Sequence, residues 1–88
     1  MKDLKKEAVA LKYNRKNDNA PKVVAKGKGV IAKNILDYAK KQGVPIKEDP
    51  ELVQILSKLD LYEEIPPKLY KAVAKILTYI YKIKKEIK

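Results

Sequence analysis

Few side chains in this 88-residue chain can carry out covalent chemistry. There is no Cys, so thiolate nucleophiles, disulfides and cysteine metal sites are excluded. There is no His, which removes the commonest general base and the commonest metal ligand. Ser57 and Thr78 are the only aliphatic hydroxyls, and neither stands in the G-x-S-x-G setting that exposes a nucleophile. A catalyst would have to be assembled from Asp, Glu, Lys and Tyr. The composition therefore points to binding rather than reaction, with no catalytic residue, no metal site and no cofactor expected.

What chemistry remains is charge. Lys and Arg number 21 against 11 Asp and Glu, a net charge of +10, so the natural partners are anionic: nucleic acid, an acidic lipid surface or an acidic protein face. The basic field sits mainly in the first half, with 13 basic and 5 acidic residues up to Glu48 and 8 against 6 after it. Lys22, Lys26 and Lys28, with Lys33 close by, form a candidate basic interaction patch. Such a patch can track a phosphate backbone with Tyr rings as stacking platforms. Most of the Tyr residues fall on expected core stripes, however, and no RNP, KH or helix-turn-helix signature is present. A solvated face, or one turned toward an acidic protein, is favoured over nucleic acid. Abundant Lys, Ile, Tyr and Glu, with little Gln or Met, is also the bias of heat-adapted proteins, so a thermophilic source is expected.

Two smaller constellations have structural readings beside functional ones. Gly27-Lys28-Gly29 before a helical pattern can hold an anion on backbone N–H groups, but it lacks the spacing of a phosphate-binding fingerprint and reads first as a tight strand-to-helix turn. Glu48, Asp49 and Glu51, or Glu63 with Glu64, resemble a paired-acid or oxygen-ligand set, yet they sit where helix starts favour negative charge.

The elements that must position these residues follow from periodicity. Glu7 to Tyr13 alternates, with Val9, Leu11 and Tyr13 on a core face and Ala8, Ala10 and Lys12 opposite, the period of a strand. Residues 14–21 (NRKNDNAP) form an exposed loop of turn formers, with Arg15, Lys16, Asn17, Asp18 and Asn19 as its flexible part. Lys22 to Lys26 reads as a second strand, followed by a glycine turn and a helix with Ile31, Ile35, Leu36, Tyr38 and Ala39 inward. Gly43 ends that helix, and Val44 to Lys47 reads as a short third strand, giving a β-α-β crossover with parallel strands. Pro45 places that strand at an edge. Asp49-Pro50-Glu51 is a helix start, with Leu52, Val53, Ile55, Leu56 and Leu59 buried. Pro66-Pro67 opens a long last helix whose apolar positions run from Leu69 through Ile80, Ile83 and Ile87, with Lys82, Lys84, Lys85 and Lys88 at its cationic end. That lysine-rich end could also lie on anionic lipid. The expected fold is a single α/β domain spanning 1–88, a small three-stranded sheet (β, β-α-β) packed with three helices, with residues 1–6 flexible. No apolar run approaches the ~18 residues needed to cross a bilayer, and the start lacks a signal-peptide core, so the chain reads as soluble and intracellular.

Three stretches are more specific than any of these signals: AVALKY (Ala8 to Tyr13), APKVVAKGKGVIA (Ala20 to Ala32), and VPIKEDPEL (Val44 to Leu52) with EIPPKLYKAVAKIL (Glu64 to Leu77). In this order and spacing they resemble the cytoplasmic C-terminal domain of the flagellar export-switch protein FlhB and its injectisome relatives, over nearly all of Glu7 to Lys82. The resemblance implies a cytoplasmic component of flagellar type III secretion, peripheral at the membrane export apparatus, that receives export substrates and takes part in switching from rod and hook subunits to filament subunits. Full-length members carry a transmembrane region and cleave themselves within an Asn-Pro-Thr-His turn just before AVALKY, where the Asn side-chain amide attacks its own carbonyl carbon. Here that turn falls on Asp3, Leu4, Lys5 and Lys6, so the cleavage chemistry is not expected.

Met1 points to a separate gene product of the stand-alone, FlhX-like kind, and the expected state is a monomer. Family members have a further strand before the turn, so the edge beside Glu7 to Tyr13 is expected to be open, able to pair with the membrane-bound full-length switch protein. The resemblance also implies an apolar substrate site at Ala20, Pro21, Ala74 and Leu77. The loop then hinges beside this site, and Lys22, Lys26 and Lys28 face acidic parts of the export-gate proteins or of cargo. The alternative from another class is a small basic nucleic-acid-binding protein.

Overall fold

The computed structural model describes residues 6–14 and 16–87, with the backbone alone for 79–87. Residues 1–5 of the expected flexible start at 1–6, the loop residue Arg15, and the expected side-chain roles of Ile80, Lys82, Ile83, Lys84, Lys85, Ile87 and Lys88 lie outside that description. Two strands, β1 (Glu7–Lys12) and β2 (Lys22–Lys28), are followed by α1 (Val30–Lys41), α2 (Pro50–Leu56), a single 3₁₀ turn (Pro67–Leu69) and the long α3 (Tyr70–Ile87). This is a mixed α/β domain with three helices, the last of them the longest, as expected.

The sheet departs from the expected one. β1 and β2 pair antiparallel, and the described residues form a two-stranded sheet in place of a three-stranded one. Val44 to Lys47 has no regular secondary structure and joins no ladder. Pro45 brings no amide to a ladder, and Gly43, at φ 71°, turns the chain so that the Val44 amide donates back to the Ala39 carbonyl at 2.8 Å. The outer edge of β2 is taken instead by residues 62–65. The Val23 amide donates to the Glu63 carbonyl (3.1 Å), the Tyr62 amide to the Val23 carbonyl (2.6 Å), and the Ile65 amide to the Pro21 carbonyl (2.8 Å). An isolated bridge joins Lys22 and Glu64. The other edge, that of β1, has no strand beside it among the described residues.

The register shifts between Ala10 and Leu11, so that Ala10 opposes Ala25 while Leu11 opposes Val23, and Val24 is the extra residue of a β-bulge. Cross-strand partners share a face. One face therefore carries Glu7, Val9 and Leu11 with Lys28, Lys26 and Val23; the other carries Ala8, Ala10 and Lys12 with Gly27, Ala25 and Lys22. The first face builds the main core: Val23, Leu52, Leu56, Ile65 and Val73 are buried together, with Val9, Leu11, Leu59 and Leu77 packed around them. The second is covered by α1, whose Ala32 is fully buried.

Helix ends follow their local chemistry. The Asp49 carboxylate accepts from the Leu52 amide at 3.1 Å, with Pro50 at the first helical position. Gly29, at φ 60°, makes the sharp entry into α1, and its amide donates to the Lys6 carbonyl at 2.8 Å. Two stripes were read too wide. In α1 the inward residues are Ala32, Ile35, Leu36 and Ala39, whereas Tyr38 (66 % exposed) faces out and Ile31 (58 %) lies against Gly27 at the start of the helix with much of its surface open. In α2 Leu52 and Leu56 are buried and Ile55 is exposed. No helix among the described residues is long and apolar enough to cross a membrane.

Candidate functional site

The four residues expected to form an apolar site come from two distant parts of the chain, and the fold brings them together. Ala20 and Pro21, at the end of the loop, and Ala74 and Leu77, on α3, line one groove of about 220 Å³ with Tyr13, Asn19, Tyr70 and Val73. Ala20 and Pro21 are buried and make the floor; Ala74 is exposed and Leu77 half-buried at the wall. Pro21 is held in place because its carbonyl accepts the Ile65 amide. The small Ala side chains and the flat Pro ring leave a shallow depression, and the phenols of Tyr13 and Tyr70 and the side-chain amide of Asn19 are the lining groups able to donate a hydrogen bond.

Sequence reasoning missed those two tyrosines and Val73. The signal was present: residues 70, 73, 74 and 77 repeat at helical spacing, so one face of α3 carries all four. Tyr13 follows β1 on the alternation that includes Val9 and Leu11, but it stands beyond the last paired residue and is part-exposed. The loop beside the groove is closed by its own hydrogen bonds. The Asp18 and Asn17 amides donate to the Asn14 carbonyl (2.7 and 3.1 Å), and the Asn14 amide donates to Asp18 Oδ2 (2.9 Å). The Lys16 amide donates to Asn14 Oδ1 at 2.9 Å. Asn19 is the loop residue that reaches the groove.

The three lysines expected to form one basic patch do not. The bulge at Val24 puts Lys22 on the α1 face and Lys26 and Lys28 on the other. Lys22 Nζ lies 3.8 Å from Asp18 Oδ1 in an i,i+4 pair, a partly solvated contact of small energetic weight. The Lys26 ammonium donates to the carbonyls of Ser57 (3.1 Å) and Leu59 (2.6 Å), closing the C-terminal end of α2. Lys28 alone of the three is exposed, and it has no ion pair among the described residues.

Of the acidic clusters, Asp49 takes the expected helix-capping role on α2, and Glu63 closes a turn, its Oε1 accepting the Asp60 amide at 2.8 Å. Among the described residues no group of acids is arranged to hold a metal ion. Gly27 serves close packing, since a Cβ built there falls 2.7 Å from Ile31 Cβ.

Comparison with known proteins gives a consistent result. A family model described as the FlhB HrpN YscU SpaS Family matches residues 5–80. The flagellar biosynthetic protein FlhB of Aquifex aeolicus is 47 % identical over 81 residues, which is 91 % of this chain and 23 % of that protein. The Bacillus subtilis protein YlqH is also 47 % identical, over 83 residues, 94 % of this chain and 89 % of its own length. This chain thus spans under a quarter of the FlhB relative and nearly all of the short one. Among solved structures, the cytoplasmic domain of FlhB from Shewanella putrefaciens superposes with a TM-score of 0.84 at 33 % identity, covering 91 % of this chain and 66 % of that one. The PscU C-terminal domain shares the fold, with a TM-score of 0.79, 24 % identity, and coverage of 83 % of this chain and 94 % of that one.

Proposed function

This chain belongs to the FlhB HrpN YscU SpaS family, and from that premise we propose that it acts in flagellar type III export by binding, not by catalysis or self-cleavage. Its groove receives a short apolar segment of a rod- or hook-type export substrate, next to the export-gate proteins. The observation that carries this reading is the convergence of Ala20, Pro21, Ala74 and Leu77 on one groove. Those positions lie in sequence motifs more than 50 residues apart, and their meeting at one groove supports this reading although Leu77 also packs against the core.

The dimensions agree with a transient role. A groove of about 220 Å³ holds roughly one large side chain. Burying a Leu- or Phe-sized group contributes about 1.5–3 kcal/mol, well short of the ~8 kcal/mol of a micromolar complex, so a docked segment is released readily. That suits a component whose cargo must move on. Absence of cleavage rests on Asp3, Leu4, Lys5 and Lys6 standing where an Asn-Pro-Thr-His turn would be needed.

The test is capture of separately expressed rod and hook subunits, and of the export-gate cytoplasmic domain, by the purified chain. Ala74→Glu, at an exposed position, is the primary variant because it places a charge in the groove without opening the core; Leu77→Glu accompanies it. Loss of capture by Ala74→Glu, with an unchanged circular-dichroism spectrum and melting curve, is the expected result. Capture undiminished in the folded variant, or retention of nucleic acid with no subunit bound, overturns the proposal.

A further inference from the structure

A second recess lies away from the apolar groove and has a different character. It occupies about 580 Å³ between the end of β2 and the C-terminal end of α2, lined by Glu7, Lys26, Gly27, Lys28, Gln54, Ser57 and Lys58. We propose that this recess binds an acidic peptide segment of a protein partner, with Lys28 and Lys58 as its two cationic contacts and the Gln54 amide between them.

Three observations support that assignment. Lys28 ends β2, and Gln54 on α2 and Lys58, two residues past that helix's end, also line the recess, so donors come to it from two elements. Lys28 and Lys58 are exposed and have no carboxylate partner, the ion pair among the described residues being Lys22 with Asp18. The negative end of α2, which would otherwise repel an anion, is neutralised by the Lys26 ammonium on the Ser57 and Leu59 carbonyls. With Glu7 as its one carboxylate against Lys26, Lys28 and Lys58, the recess is positive on balance.

Its shape and lining select a peptide over nucleic acid. No aromatic ring lines it, so a base finds no stacking surface. Glu7, paired across the ladder with Lys28, repels phosphates and carboxylates alike, but it can accept hydrogen bonds from peptide amides, which a phosphate backbone does not offer. Two exposed cations match two carboxylates on a short segment better than they match a continuous polyanion.

The experiment titrates the isotopically labelled full chain with the peptide acetyl-Asp-Glu-Gly-Asp-Glu-amide, its Asn/Gln counterpart, inorganic phosphate and a single-stranded DNA oligonucleotide, read by amide chemical shifts. The acidic peptide is expected to shift Gly27, Lys28, Gln54 and Ser57, and the Asn/Gln peptide to leave them in place. Lys28→Glu with Lys58→Glu should weaken binding by roughly tenfold or more, while Lys40→Glu with Lys41→Glu, the same charge change at the far end of α1, should alter it less than about threefold. Equal weakening by the two double variants reduces the effect to diffuse attraction and overturns the proposal. So does preferential occupancy of the recess by phosphate or DNA, or the absence of shifts there. Because Ala74 does not line this recess, Ala74→Glu should retain peptide binding, and the two sites fail or stand separately.

Discussion

The two faces of the β1–β2 ribbon are closed in opposite ways. On one, branched side chains from Val9, Leu11 and Val23 meet Leu52, Leu56, Ile65 and Val73 from the other elements, and bulk fills the space. On the other, Ala8, Ala10, Ala25 and Gly27 present almost no side chain, and α1 comes down onto the backbone itself. The first face is held by apolar volume and the second by close approach, so they tolerate opposite errors: the first is damaged by removing atoms, the second by adding them. The candidate groove opens at the margin of the first face, where Leu77 belongs both to the core and to the groove wall. A docking site there shares Val73 and Leu77 with the main core.

The largest test of this contrast is Ile65→Ala. Ile65 is 1 % exposed, and its amide ties residues 62–65 to Pro21. Truncation should cost about 2–5 kcal/mol, against a total stability of about 4–13 kcal/mol for a domain of this length. Urea denaturation should show a large fall in midpoint, or a chain already unfolded in water. A loss under about 1 kcal/mol would mean that this face collapses around cavities and is not the bulk-filled one.

The opposite error is Gly27→Ala. The added methyl overlaps Ile31, including its Cβ at 2.7 Å, so α1 must lift away from β2. The cost should be about 1–3 kcal/mol, and smaller in an Ile31→Ala background, where one clashing branch is gone. Additive effects in the double variant would show that Gly27 is needed for some reason other than its contact with Ile31.

The same contrast explains what could be read from the sequence. Alternation at Val9 and Leu11, the Asp49-Pro50 start and the helical spacing along α3 are local signals, and they placed β1, α2 and α3. The bulge at Val24 leaves no local mark, so Lys22, Lys26 and Lys28 read as one patch when they occupy two faces. Ile31 and Tyr38 read as buried because apolar residues at helical spacing normally are, but a helix packed on Ala and Gly needs only a narrow stripe. Val44 to Lys47 has strand-like composition, and what denied it a partner was the distant segment 62–65 occupying β2's edge. The groove was legible because its residues came through motif resemblance; its tyrosine rim required the fold.

Lys26→Met sharpens the comparison at the point where polar chemistry enters the first face. Met keeps most of the apolar stem and removes the ammonium that holds the Ser57 and Leu59 carbonyls. Part-buried carbonyls then lose a charged donor, a cost of about 1–2 kcal/mol. Amide exchange should quicken at Ser57 to Leu59 ahead of β1. Uniform acceleration across the domain would instead make Lys26 part of the global core.

The smallest effect should have the opposite sign. Tyr62 adopts φ 68°, a left-handed conformation that costs a side chain with a Cβ roughly 1–2 kcal/mol. The conformation is imposed by its surroundings: the Tyr62 amide donates to Val23, and the Glu63 amide to Asp60, on either side of the turn. The ring itself is 71 % exposed, so it contributes little packing in return. Tyr62→Gly removes the strain but enlarges the unfolded ensemble by about 0.5–1 kcal/mol. The net expectation is stabilisation of about 0.5–1 kcal/mol, read as a raised urea midpoint. A destabilised Tyr62→Gly would show that the exposed ring makes a compensating contact. A stabilised one that captures export subunits less well would mark the Leu61–Tyr62 turn, strained and solvent-facing, as part of the binding surface, with strain retained for contact instead of stability.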